Sequence, residues 1–307
     1  MPKIEYVPKT FRSDNLYLIN KINDVIADYS QQGFSLTLRQ VYYQMVARAI
    51  IPNNERSYKN LGNLISDARL AGLIDWSAIE DRTRNLRGNS HWGTPGDVIN
   101  SAAFSYHLDY WKDQENYVEV WVEKDALVGI VGQICEKLDV NFFSCRGYVS
   151  QSEMWGAARR LRRHQDSDQN IVLLHLGDHD PSGKDMSRDI QDRLITFETH
   201  GVEFHRLALN MDQIELYNPP PNPTKLTDSR ATGYIDKFGY ECWELDALEP
   251  QVISNLIKTN VEKYRDNELY EAILKREQEE KTLLNGISKN WDGIANNWED
   301  IRDQYCR

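Results

Sequence analysis

Three acidic residues stand where a parallel sheet would present its ligands. Glu123 follows the alternating segment YVEVWV, and Asp178 and Asp180 follow the continuous apolar run NIVLLHLG. In open α/β sheets, ligands bind beyond the carboxyl ends of the strands. Mg²⁺ prefers hard oxygen ligands and commonly takes a few carboxylates together with a substrate phosphate. The three acids therefore predict a site for Mg²⁺, or for Mn²⁺ in its place, that handles a phosphodiester.

A tyrosine on an early helix is the second group suited to such chemistry. In LRQVYYQMVARA the apolar stripe at helical spacing includes Tyr42, which is predicted to be a core residue. Tyr43 lies off that stripe, one turn from Arg39, and we expect it to present its hydroxyl outside. A phenol is a weak nucleophile at its ordinary pKa of about 10, and a nearby Arg and a metal-held phosphate would favour its attack. The alternative for Tyr43 is an exposed aromatic that covers a domain interface.

The elements that would position the acids alternate between strand and helix. From about Tyr117 the chain has the order β-α-β-α-β-α-β, with the third strand ending just before Asp178 and the fourth in VEFHRLAL. This order predicts a mostly parallel sheet with helices on both faces. Residues 217–230 contain four prolines and are predicted to form an extended loop, and residues 267–307 are predicted to form one or two polar helices.

Residues 1–95 are predicted to form a separate, mainly α domain. Three helices are predicted, at 14–33, after Thr37 and at 58–72, and a short β-wing is predicted after them at 73–88. This is the layout of a winged-helix DNA reader, whose third helix enters the major groove. The candidate phosphate contacts lie on that helix, on the wing or beside the first acid: Lys59, Arg69, Arg82, Arg84 and Lys124. The basic run Arg159–Arg163 is the alternative DNA path. Glu244 and Asp246 end a later strand and are interpreted as structural, with membership of a second metal's shell as the alternative.

Several stretches carry a family resemblance. VEVWVEKDALVG and HLGDHDPSGKD resemble the Toprim domain of topoisomerases and related nucleases, which has Glu after its first strand, Asp-x-Asp after its third, and magnesium between them. TLRQVYYQMV resembles topoisomerase VI A subunits and the related meiotic double-strand-break protein. In those proteins the second aromatic of an Arg-x-x-Tyr/Phe-Tyr motif attacks DNA. The resemblance covers roughly residues 30–260.

The resemblance implies a fold and a set of roles. It implies an α/β Toprim domain in residues 96–307, preceded by a mainly α winged-helix domain in residues 1–95. It assigns metal binding to the three acids, Glu123, Asp178 and Asp180. It assigns nucleophilic attack to Tyr43, with Arg39 as its companion.

Composition and charge limit the classes of function. The net charge is −11, but residues 1–100 carry 12 Lys and Arg against 10 Asp and Glu, so a local basic face for nucleic acid is compatible with it. No apolar run reaches the roughly 18 residues of a membrane span. The start lacks the apolar region of a signal peptide, and the four cysteines are scattered, so we expect a cytoplasmic protein with reduced thiols. No GxGxxG or GxxxxGK[ST] motif is present to indicate dinucleotide or ATP binding.

The favoured interpretation is a Mg²⁺-dependent DNA-cleaving enzyme similar to a topoisomerase VI A subunit, acting as a homodimer. No ATPase segment is recognisable, so strand passage would need a separate ATPase subunit. Two alternatives stay open: a Toprim nuclease that uses water in mobile-element or phage-defence biology, and a non-catalytic DNA-binding regulator. The intact acids argue against the regulator, because unpaired carboxylates repel one another and DNA unless a cation lies among them.

Overall fold

The computed structural model describes residues 3–34, 36–79 and 89–298. The helices are, in chain order, α1 (Ser13–Gln31), α2 (Leu38–Ala47), α3 (Glu55–Leu70), α4 (Pro95–Ser105), α5 (Val128–Leu138), α6 (Gln151–Gln165), α7 (Pro181–Thr196), α8 (Met211–Tyr217), α9 (Ala231–Phe238), α10 (Pro250–Glu262), α11 (Asn267–Lys289) and α12 (Trp291–Asn296). The strands are β1 (Asn116–Val122), β2 (Asn141–Ser144), β3 (Asn170–Leu176), β4 (Glu203–Ala208), β5 (Asn222–Pro223) and β6 (Glu241–Cys242).

Four strands form a parallel sheet in the order β2-β1-β3-β4. The predicted α/β arrangement, a parallel sheet with helices around it, is confirmed. β1 and β3 are the central pair, and their register aligns Val122 with Leu176. Both central strands therefore end at the same edge, which is where the predicted acids follow them. β5 and β6 form a separate antiparallel pair.

Both faces of the sheet are covered, as the apolar runs of the strands require. On one face Trp121 belongs to the same core cluster as Leu161 of α6 and Ile190 of α7. On the other face α5 lies on β2, where a Cβ added to Gly132 would be 3.1 Å from the ring of Phe142. In the register, Trp121 is aligned with Phe143, the residue after Phe142 on β2. Because successive side chains of a strand point to opposite faces, Phe142 points to the face opposite Trp121.

The three predicted N-terminal helices are confirmed as α1, α2 and α3, which share one apolar core. Thr37 caps α2 as predicted: it accepts a hydrogen bond from the Gln40 backbone N–H at 3.3 Å, and its own N–H donates to the Gln40 side chain at 2.8 Å. In the predicted wing, the described part contains a single bridge between Leu36 and Ile79. Arg82 and Arg84 lie outside the described residues.

The chain divides into two compact units. The first contains residues 1–84 and 116–264, so it holds both α1–α3 and the sheet, and the second contains residues 85–115 and 265–307. The boundary expected after residue 95 falls within the first segment of the second unit. In that unit α4 packs along α11, and the backbone N–H of Leu108 donates to Glu277 at 2.7 Å. No helix within the described ranges is both long and apolar enough to cross a membrane.

Candidate active site

The ends of β1 and β3 bring two of the predicted acids into contact. Glu123 continues the strand ladder, because its backbone N–H donates to the carbonyl of Leu176 at 2.9 Å. The carboxylate of Glu123 then accepts the backbone N–H of Asp178 at 2.8 Å. Each of the two side chains belongs to a residue that is only 7% exposed. The strand register thus places two carboxyl groups together in a largely water-free edge of the sheet.

Asp180 ends the turn after β3 and starts α7. Its Oδ1 atom accepts the backbone N–H of Gly183 at 2.6 Å and the hydroxyl of Ser182 at 3.0 Å, which is the usual bonding of a helix cap. Pro181 occupies the first helical position, where its missing N–H is not needed. The charge of Asp180 also acts on Glu123 and helps to raise its pKa. Asp180 therefore caps the helix and contributes to the same acidic edge.

Two glycines allow the turn and the helix to approach the Glu123 carboxylate. A Cβ at Gly183 would lie 2.3 Å from the carbonyl oxygen of Asp178 and 3.0 Å from Oε2 of Glu123. A Cβ at Gly177 would lie 2.9 Å from the same Oε2 atom. A side chain at either position would collide with the carboxylate or with the backbone of the turn, so this close packing requires glycine at both positions.

Arg206 on β4 holds the turn that carries the acids, although its place in the sequence does not mark it as a site residue. Its guanidinium donates to the backbone carbonyls of Gly177 and Gly183, both at 2.9 Å, and to that of Asp178. Burial lowers the pKa of Arg206, against the opposing charges of the three acids. The sequence signal was weak, since it consisted only of a basic residue inside a short strand.

Lys124, a predicted phosphate contact, lies among three carboxylates. Its Nζ atom is 2.9 Å from Asp178, 2.6 Å from Glu244 and 3.0 Å from Asp246. Arg39 of α2 pairs with two of these carboxylates, Glu244 and Asp246. Its Nε atom is 2.9 Å from Asp246, and an Nη atom bonds to Glu244. Glu244 and Asp246, interpreted from the sequence as structural, are therefore part of the charged cluster at this edge.

The electrostatics of the cluster follow from burial of more acids than bases. Burial raises the pKa of Glu123, and the charge of Asp180 adds to this effect. Burial also raises the pKa of Asp178, against the attraction of Lys124. For Glu244 burial acts in the same direction, but the charges of Lys124 and Arg39 outweigh it and lower its pKa. For the two acids nearest the central strands, Glu123 and Asp178, burial therefore outweighs the stabilisation of the charged carboxylate by nearby cations.

Tyr43 is buried, and the expectation that it presents its hydroxyl outside is wrong. The residue is 4% exposed, because α2 packs against the 245–247 turn of the same unit. Burial raises the pKa of Tyr43, the charges of Asp246 and Glu244 raise it further, and that of Arg39 lowers it. The surroundings of the phenol in this structure therefore disfavour the phenolate.

Tyr42 is a core residue, as predicted, with 5% exposure. Its hydroxyl donates to the side chain of Asn53 at 2.9 Å. The amide of Asn53 in turn donates to Asn222 at 2.8 Å and to the carbonyl of Pro221 at 3.1 Å. Tyr42 thus helps to tie the turn after α2 to the proline-rich segment.

A cleft of about 810 Å³ is lined by the predicted tyrosine and by one of the three predicted metal ligands. Its wall includes Tyr43 and Arg39 from α2, Asp180 from the turn after β3, and Glu244. A smaller cleft of about 260 Å³ is lined by Glu123 and Lys124 and again by Arg39. Arg39 therefore lines both a cleft that reaches Tyr43 and one that reaches Glu123, the first of the predicted metal ligands.

The remaining candidate DNA contacts lie in different settings. Lys59 is exposed and forms an ion pair with Glu55 at 2.7 Å, one turn earlier on α3. Arg69 is half-buried and donates to two backbone carbonyls within residues 76–79. Arg69 thus supports the segment that follows α3, whereas Lys59 remains accessible to a phosphate.

The basic run on α6 is largely engaged in pairing within the protein. Arg160 bonds through Nε to the buried carboxylate of Glu119 at 2.7 Å, and Arg162 pairs with Glu198 at 2.9 Å. Arg159 lies over the ring of Trp155, with its guanidinium carbon 4.8 Å from the ring centroid. These contacts favour a structural role for most of the run.

The residues fit a magnesium ion by their chemistry, although they are not arranged as a closed cluster. Within the described ranges, no three His, Cys, Asp or Glu side chains form a group that could hold a metal ion. One oxygen of Asp178 accepts the backbone N–H of Leu245 at 2.7 Å, and the other pairs with Lys124. The donors are nevertheless the hard oxygens that Mg²⁺ prefers.

Comparisons with known proteins gave no match: no family model, no curated protein and no solved structure is significantly similar to this chain.

Proposed function

We propose that this chain is a Mg²⁺-dependent DNA-cleaving enzyme in which Tyr43 attacks the DNA backbone. One observation carries the proposal: the about 810 Å³ cleft is lined both by Tyr43 with Arg39 and by Asp180 with Glu244. A phosphodiester in that cleft would lie between the Tyr43 hydroxyl and an acidic edge of the sheet, where a bound cation would compensate the carboxylates. Such a pairing is what a transesterase needs and what an unrelated core tyrosine would not have.

Glu123, Asp178 and Asp180 would hold the metal ion. When bound, Mg²⁺ would supply charge stabilisation to the phosphoryl oxygens. The chain's own contribution is to fix the acids: the register of β1 with β3 positions Glu123 beside Asp178, and Arg206 holds the turn. Gly177 and Gly183 let the turn and the start of α7 pack closely against Glu123.

In the proposed reaction the Tyr43 phenolic oxygen forms a bond to phosphorus as the P–O3′ bond breaks. The phenol proton leaves to solvent or to Glu244, which is a hydrogen-bond partner of the Tyr43 hydroxyl. The departing 3′ oxygen gains a proton, and the 5′ phosphate remains attached to the tyrosine. Arg39, whose guanidinium carbon lies 5.8 Å from the Tyr43 ring centroid, favours the phenolate.

A hydrolytic nuclease is the second candidate, and the burial of Tyr43 favours it. A side chain that is 4% exposed must change its surroundings before it reaches a phosphate, whereas a water molecule needs no such change. In this case the three acids and their metal would act on water, and Tyr43 would serve to pack α2 against the 245–247 turn.

Both candidates act on DNA, and the first has consequences for assembly. Breaking both strands of a duplex requires two sites, which a homodimer would supply. Strand passage would in addition require energy from a separate ATPase subunit.

The test combines plasmid cleavage with detection of covalent protein. Supercoiled plasmid, Mg²⁺ and wild-type protein should give nicked or linear DNA with protein on its 5′ ends, seen as a gel shift that protease removes. Tyr43→Phe should abolish cleavage, because it removes the atom that bonds to phosphorus. Tyr42→Phe is the matched control: it should keep cleavage and lose about 1 kcal/mol of stability, the typical value of one hydrogen bond.

The outcomes separate the candidates. Free DNA ends from the wild type, together with an active Tyr43→Phe variant, would leave only the hydrolytic nuclease. No cleavage by folded wild-type protein with either Mg²⁺ or Mn²⁺ would remove both enzymatic candidates.

A further inference from the structure

The ammonium group of Lys124 occupies a cage of carboxylates. The cage is formed by Asp178, Glu244 and Asp246, whose nearest oxygens lie 2.9, 2.6 and 3.0 Å from Nζ. The Lys124 side chain is only 16% exposed, and that of Asp246 is fully buried. Lys124 thus contacts three carboxylates, whereas a surface ion pair has one. These contacts lie at the edge of the sheet where the candidate metal ligands are found.

The cage is built from two segments that are held in fixed register. Asp178 follows β3, and Glu244 and Asp246 flank Leu245, whose backbone N–H donates to Asp178 at 2.7 Å. His179 and Trp243 also exchange both of their backbone hydrogen bonds, at 2.8 and 2.9 Å. The three carboxylates are therefore brought together by the fold and do not depend on Lys124 alone to hold them in place.

Acidic side chains outnumber basic side chains at this edge of the sheet. The acids are Glu123, Asp178, Asp180, Glu244 and Asp246, and the basic side chains that act on them are Lys124, Arg39 and Arg206. Five carboxylates and three basic groups leave a formal charge of −2. Buried charge is costly unless it is compensated. One divalent ion would complete the balance, and a second would exceed it.

We propose that Lys124 takes the place of a second divalent cation, so that the site is built for one divalent ion and one ammonium group. Some phosphoryl-transfer sites use two metal ions, which stabilise the attacking and leaving oxygens. Here one of those positive charges is covalently part of the chain. The inference rests on the proposed function, because it assumes that Glu123, Asp178 and Asp180 bind a divalent ion.

The test counts bound Mn²⁺ by electron paramagnetic resonance, using the full chain without DNA. Wild-type protein should bind one Mn²⁺, and Lys124→Met should bind one more, because the emptied cage then offers its oxygens to a cation. The double variant Lys124→Met/Glu244→Gln should return to the wild-type count, since it removes one cage carboxylate. Lys225→Met is the matched control: it removes the same charge from the wall of the larger cleft and should leave the count unchanged.

Each result bears on a separate claim. Two Mn²⁺ ions in the wild type would overturn the inference directly, even if Lys124→Met failed to fold. Equal counts in wild type and a folded Lys124→Met variant, checked by circular dichroism, would also overturn it. No Mn²⁺ in the wild type would instead refute the metal role of the three acids, and the gain of one ion in Lys124→Met would still identify the cage as a cation position.

Discussion

Gly183 lies in the first turn of α7, where the helix approaches the turn that carries the acids. Replacing it with alanine adds a Cβ that would lie 2.3 Å from the carbonyl oxygen of Asp178 and 3.0 Å from Oε2 of Glu123. The first of these neighbours is backbone, which Arg206 holds through the carbonyl of Asp178. The helix start must therefore move away from the turn.

The cost combines two effects. Overpacking of a tight site costs about 1–3 kcal/mol, and movement of the helix start weakens the 2.6 Å bond from the Gly183 N–H to Asp180, a cap worth about 1 kcal/mol. We expect Gly183→Ala to lose roughly 2–4 kcal/mol of unfolding free energy. Because the displaced groups include Asp180, Mn²⁺ affinity should fall as well.

Gly156 provides the matched control. It also lies within a helix, α6, but a Cβ added there would meet nothing within 4 Å. Gly156→Ala should stabilise the protein by about 0.5–1 kcal/mol, because alanine has the higher helix propensity. Urea unfolding of the two variants beside the wild type measures both effects. If Gly183→Ala is as stable as the wild type, the close approach inferred at the turn is wrong.

Two further predictions concern the acids and the pH dependence of stability. Glu123→Gln and Asp178→Asn should each abolish metal-dependent plasmid cleavage with an unchanged circular dichroism spectrum, and cleavage by both folded variants would refute their metal role. Burial, and secondly the charge of Arg206, lowers the pKa of His175 to about 3 in the folded protein. Between that value and the ordinary histidine pKa of about 6.5, His175 is therefore protonated in the unfolded chain only. Stability from His175 is thus present above about pH 6.5 and falls as the pH drops towards the folded pKa. When the pH is lowered from 7.0 to 5.5, the unfolding free energy measured in urea should fall by about 1 kcal/mol less for His175→Gln than for the wild type. An equal fall in both proteins would contradict this prediction.

The parts of the fold that the sequence predicts are those governed by local pattern. Apolar runs and alternation mark β1 and β3, and the β-α-β order makes the sheet parallel, so the carboxyl ends of both strands share one edge. Proximity of Glu123 and Asp178 follows from that topology. The start of α2 at Thr37 was also predictable, because a capping box consists of neighbouring residues.

The parts that the sequence does not predict depend on contacts between distant segments. The helical stripe identifies Tyr42 as a core residue, but Tyr43 is buried by the 245–247 turn, about two hundred residues further along the chain. That turn is brought to the edge by backbone bonds between His179 and Trp243. Arg206 is likewise important only because β4 lies beside β3. Periodicity reports which face of an element is buried, but it does not report what covers the other face.

The charged groups at this edge are linked, so Tyr43 and the acids do not form separate sites. Glu244 is a partner of Lys124, of Arg39 and of the Tyr43 hydroxyl. Glu244 cannot change its contact with one of these three groups without also changing its electrostatic interaction with the other two. A change in the carboxylate cage around Lys124 therefore reaches Tyr43 through Glu244, and a change at Tyr43 reaches the cage by the same carboxylate.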